Sequence, residues 1–71
     1  MNSYEVIQLA KKHVDSTAVM QYSAKLCLAD AVRLQYQGKC AEARNRAVKS
    51  LAYSVGVLHP DYKAATAWPK E

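Results

Sequence analysis

The chain has 71 residues, 51% of them hydrophobic, and ten Lys and Arg against six Asp and Glu give a formal charge of +4. A single domain of this size buries only about 60% of the surface its unfolded chain exposes, so a metal, a disulfide or a second subunit would add usefully to its stability. The 23% charged content, with two Gly and two Pro, excludes a disordered chain, and no apolar run approaches the ~18 residues of a membrane span.

Asn2 and Glu5 stand at capping-box spacing and predict a helix start. From residue 3 to 14, Val6, Ile7, Leu9, Ala10 and Val14 share one side and Glu5, Gln8, Lys11 and Lys12 the other, which makes helix one amphipathic. Asp15, Ser16 and Thr17 then offer capping oxygens and predict a break and restart, a bent continuous helix being the alternative.

Helix two is expected over residues 17–37. Met20, Ala24, Cys27, Ala31 and Leu34 follow steps of four and three and form a packing seam, widened by Leu28 and Val32. Tyr22, Ala29 and Tyr36, with Leu26 beside them, form a second apolar line on the opposite side. A helix with two apolar lines is usually sandwiched, and tyrosine suits a partly wet contact because its hydroxyl keeps a partner.

Gly38 supplies the left-handed residue that ends many helices, and helix three is expected over 40–57. Cys40, Ala43, Ala47, Leu51, Val55 and Leu58 mark its buried side; Glu42, Asn45, Arg46, Lys49 and Tyr53 mark the opposite one. Gly56 weakens the last turn, and His59-Pro60 should stop the helix because a residue before proline disfavours helical backbone. Residues 1–60 then form one helical domain and 61–71 a tail, in which Trp68 either folds back or stays exposed. The expected class is all-α: a small three-helix domain built on a long antiparallel hairpin of helices two and three, with helix one packed across it.

The chemistry-bearing residues are sparse. Zinc ligands normally come in pairs two to four residues apart, whereas His13, Cys27, Cys40 and His59 are all distant in sequence, so no metal or other cofactor is expected. Across the expected turn Cys27 and Cys40 differ in level by about 13 Å, against the roughly 7 Å between α-carbons that a disulfide spans, so both read as reduced, small core hydrophobes. His13 near the end of helix one suits the negative end of the helix dipole. Asp30, Glu42 and Asp61 read as isolated surface charges or caps, glycine is too scarce for a phosphate loop, and no nucleophile pairs with a base. A non-enzyme is expected. No basic segment at Met1 to Val6 leads into a long apolar stretch, so a cytoplasmic location is expected as well.

Lys39, Arg44, Arg46 and Lys49, with Asn45 among them, form a basic group that could meet phosphates and base edges. A single-glycine turn between long helices, however, favours antiparallel packing over the steep crossing of a helix-turn-helix. Gln37-Gly38, Glu42-Ala43, Lys49 and Leu51 fall at the spacing of a tetratricopeptide-like unit, but Asp30 and Val55 depart from its pattern and no second copy follows. That likeness reads as hairpin physics shared by unrelated chains.

The stretch Ser50-Leu51-Ala52-Tyr53-Ser54-Val55-Gly56-Val57-Leu58-His59-Pro60-Asp61-Tyr62, after an Ala-rich hairpin, resembles the small early proteins from the exo-xis region of lambdoid bacteriophages. The resemblance implies a non-enzymatic modulator made early in infection, acting in the bacterial cytoplasm on host or phage regulatory proteins, and carries over no site residue. The leading expectation is thus a regulator that binds a protein partner and self-associates as a dimer, with Tyr22, Tyr36, Arg46, Lys49 and Tyr53 as contact residues. Nucleic-acid binding through the helix-three face is the alternative.

Overall fold

The computed structural model describes residues 2–16 and 21–66 and shows an all-α fold. Four helices follow in order: α1 (Ser3–Val14), α2 (Gln21–Tyr36), α3 (Cys40–Val55) and α4 (Pro60–Thr66). The α1 start is the expected capping box. The Asn2 side chain accepts from the Glu5 N–H at 2.9 Å, and the Asn2 N–H donates back to Glu5 Oε1 at 3.1 Å.

Three residues connect α2 to α3. The Lys39 N–H donates to the Leu34 carbonyl at 2.9 Å and the Gly38 N–H to the Gln35 carbonyl at 3.1 Å, with Gly38 at φ 79°; this is the paired closure of a Schellman motif. The most extensive helix contact in the fold follows, between α2 and α3, and α1 lies chiefly against α3. Near its far end, Ser50 Oγ donates to the Ala24 carbonyl at 2.8 Å, so a fully buried hydroxyl finds its partner on the neighbouring backbone. Ser3 Oγ donates to Gln35 Oε1 at 2.8 Å and Gln21 Nε2 to the Val14 carbonyl at 3.3 Å, and both bonds tie α1 to α2.

Among the described residues the buried apolar set is Val6, Ile7, Ala10, Val14, Ala24, Ala31, Ala43, Ala47, Leu51 and Ala65. Six of these ten are alanine. Small side chains at a helix contact allow the axes to approach to the short end of the usual 8–10 Å range, and they also limit the apolar area each helix removes from water. Leu51 is the largest fully buried side chain, so it carries a disproportionate share of the core.

The structure corrects several sequence expectations. The described residues form four helices, because Pro60 opens a helix instead of ending one. Proline has no N–H to lose and its φ is already set at the first helical position, and His59 caps the new helix by accepting the Asp61 N–H on Nδ1 at 3.0 Å. Part of the expected tail is therefore structured, and Ala65 joins the core. Helix three ends at Val55, not 57, because Gly56 adopts φ 88°; register is lost there, and Leu58, expected on the buried side, is 81% exposed. Cys40 is exposed and Cys27 half-buried, so neither is a fully packed core residue; Cys40 opens α3 beside the turn, at the edge of the helix contact. Residues 17–20, including Met20 of the expected seam, and Trp68 lie outside the described residues.

Two substitutions probe this scaffold by chemical denaturation. Gly38→Ala meets no atom within 4 Å of its new Cβ, so its whole cost is the left-handed backbone, about 1–2 kcal/mol. Leu51→Ala empties the centre of an alanine-lined core that has little side-chain volume with which to refill, and is expected to cost about 2–5 kcal/mol.

Candidate functional site

The first surface is the outer face of α2. Tyr22, Leu26, Ala29, Arg33 and Tyr36 follow steps of four, three, four and three, which hold them on one side of a helix. Tyr22 is 76%, Leu26 51% and Tyr36 89% exposed. Near the middle, Arg33 donates to Asp30 Oδ1 at 2.6 Å, an exposed pair of small energetic weight. At the C-terminal end the strip continues into a groove between α1 and α2. Tyr4, Ile7, Val32 and Tyr36 supply its apolar walls, Lys11 and Gln35 stand at its edges, and its cavity volume is about 240 Å³. Tyr4, itself 61% exposed, carries no signal in the sequence for this groove, because only the fold brings it to the same groove as Tyr36.

The second surface is the outer face of α3. Arg46 and Lys49 are exposed and line one shallow depression with Glu42, Asn45 and Val48; Tyr53, 38% exposed, follows one turn beyond Lys49. Arg44 is half-buried. The five sequence-predicted contact residues thus divide between two helices: Tyr22 and Tyr36 on α2, and Arg46, Lys49 and Tyr53 on α3. Glu42 places a negative charge within the basic depression, which reduces its attraction for a polyanion.

The third feature is a cluster the sequence did not reveal. His13, in the last turn of α1, lies with His59 and Asp61 although 46 and 48 positions separate it from them. The His13 and His59 rings meet edge to face at 5.2 Å between centroids, 67° apart in plane. His13 Nε2 donates to Asp61 Oδ2 at 2.6 Å. Asp61, expected as an isolated charge or cap, is instead a half-buried partner, and that hydrogen bond from His13 holds its carboxyl below the usual carboxylate range against an opposing desolvation, with lesser help from the nearby Lys12 charge. The sequence holds one local signal, the His59-Pro60-Asp61 spacing that sets a helix cap. His13 could be added only by the packing of α1 against the α3–α4 connection. The carboxylate and the imidazoles can share a proton, and they can ligate a cation once the His59 lone pair is released from the Asp61 N–H.

No family model, curated protein or solved structure matches the chain.

The His13–Asp61 pair links residues 48 apart, so its two members should act as one unit. His13→Leu and Asp61→Asn are each expected to lower the thermal midpoint, and the double variant to fall no further than the worse single variant. Melting curves followed by circular dichroism check this; additive losses would show that the two side chains act separately.

Proposed function

We propose that the protein is a small non-enzymatic regulator that acts by protein–protein contact, and that the outer strip of α2 with its adjoining groove is the contact surface. The single observation that carries this reading is the alignment of Tyr22, Leu26 and Tyr36, all more than half exposed, on one helix face. Aromatic side chains bury large areas at small entropic cost and keep a hydroxyl for a polar rim, which is why tyrosine is frequent among interface hot spots. A scattered exposed apolar residue is ordinary; a strip of three running into an apolar groove is the pattern of a docking face.

A self-complementary helix face most often closes as a two-fold dimer, and a domain whose core is largely alanine gains from the extra burial. The reading therefore includes a homodimer through α2, a protein partner competing for or completing that face, and action in the cytoplasm. The likeness of residues 50–62 to early proteins of lambdoid phages supports a regulator made early in infection and working in the bacterial host. The alternative is DNA binding through Arg46 and Lys49; the net charge of +4 favours it and Glu42 in the same depression counts against it.

Sedimentation velocity over a concentration series tests the proposal. The expected result is a dimer that Tyr22→Ser or Tyr36→Ser weakens by about 30-fold, corresponding to the ~2 kcal/mol of an interface hot spot. A monomer throughout, with DNA affinity that falls steeply with salt and whose salt dependence flattens by about one unit on Arg46→Ala, would replace the reading with the alternative.

A further inference from the structure

We propose that His13, His59 and Asp61 form a binding site for a borderline divalent transition-metal ion of the zinc class, whose role is to clamp α4 and the α3–α4 connection onto the end of α1. The donor chemistry comes first. Two imidazoles and one carboxylate suit zinc, cobalt, nickel or copper, whereas calcium and magnesium favour sets made only of oxygen ligands.

The geometry is that of a site close to assembled. One donor atom from each of the three residues lies within 4.8 Å of the other two. An ion held at about 2.0–2.2 Å by nitrogen and oxygen ligands in a tetrahedral arrangement sets those atoms roughly 3.4 Å apart. The 2.6 Å separation of His13 Nε2 and Asp61 Oδ2 then opens by about an ångström and wider gaps close by a similar amount, movements within reach of half-buried side chains. The ion takes the place of the proton now held between His13 and Asp61, which leaves to solvent or passes to His13 Nδ1, and His59 gives up its cap on the Asp61 N–H, either turning the Nδ1 lone pair to the ion or shifting its proton from Nε2 to Nδ1 so that Nε2 binds. Three protein ligands leave at least one position for water.

The placement argues for a structural role. The three ligands come from three segments: the last turn of α1, the connection after α3 and the first turn of α4. Among the described residues, the buried apolar set as a whole is mostly alanine, and Ala65 is the one fully buried apolar residue that α4 contributes. A metal bond between positions 46 to 48 residues apart removes much of the freedom of the unfolded chain and supplies what so small a core lacks.

Cobalt and zinc titrations of the untagged protein test the site. Cobalt is expected to bind at one equivalent, with visible d–d absorption of a nitrogen and oxygen ligand set that zinc abolishes by competition. Zinc at about a hundredfold its Kd should raise the melting temperature by about 10 °C or more, and magnesium and calcium should not. The decisive variants keep the local structure while removing the imidazole: His59→Asn retains a helix-capping acceptor, and His13→Gln retains a donor toward Asp61. Each should fold and weaken cobalt binding by more than about tenfold, the loss that even removal of an outer-sphere partner produces. No cobalt spectrum and no zinc-dependent shift would overturn the proposal. So would unchanged binding in both variants, or the intense near-ultraviolet band of a cobalt–thiolate bond, which would assign the ion to one of the free cysteines, Cys27 or Cys40.

Discussion

The close approach of helices across alanine is the constraint on which the rest of this fold depends. Ala24 and Ala31 on α2, Ala43 and Ala47 on α3 and Ala10 on α1 are buried where the helices meet. Because these side chains end at Cβ, backbone lies near backbone, and that proximity lets the Ser50 hydroxyl reach the Ala24 carbonyl on the neighbouring helix at 2.8 Å. The same feature limits stability. An alanine buries little apolar area, so each helix contributes less hydrophobic free energy than a leucine-rich one of equal length. Polar links that would be minor in a larger domain therefore carry more weight.

Those links sit at the ends of the helices. Ser3 with Gln35 and Gln21 with Val14 fasten α1 to the two ends of α2, and the His13–Asp61 hydrogen bond fastens α1 to α4. His59 serves two neighbours at once, capping α4 through Nδ1 while its ring meets His13. The group thus gathers two imidazoles and a carboxylate from three segments in a domain short of apolar burial. Asp61 is the anionic member, and the nearby Lys12 charge favours its ionised form.

The surface divides into an apolar face and a charged one. The α2 face carries three large apolar side chains around a paired Arg33 and Asp30, with the exposed Lys25 one turn from Tyr22 as its remaining charge. The α3 face mixes Arg46 and Lys49 with Glu42, a pattern that suits solvation as well as contact. The aromatic groove beside Tyr36 extends the α2 surface onto α1.

The sequence by itself determined the helices that local chemistry specifies. The capping box at Asn2 and Glu5, the Gly38 closure and the apolar faces of α1 and α3 follow from side-chain periodicity and caps, which act within a few residues. It also determined that Tyr22 and Tyr36 share the side of α2 opposite the seam, since helical spacing alone orders them. Proline was ambiguous, because the same residue ends one helix and opens another, and which it does at position 60 depends on whether the following turn finds a core for Ala65 to enter. Cys40 and Leu58 fit the apolar period yet are exposed, because periodicity assigns a side and not the point where the neighbouring helix stops or Gly56 turns the chain. Only the tertiary structure decided the groove at Tyr4 and Tyr36 and the meeting of His13 with His59 and Asp61. Both join residues more than 30 positions apart, and no local pattern records a contact that exists only once the helices have packed.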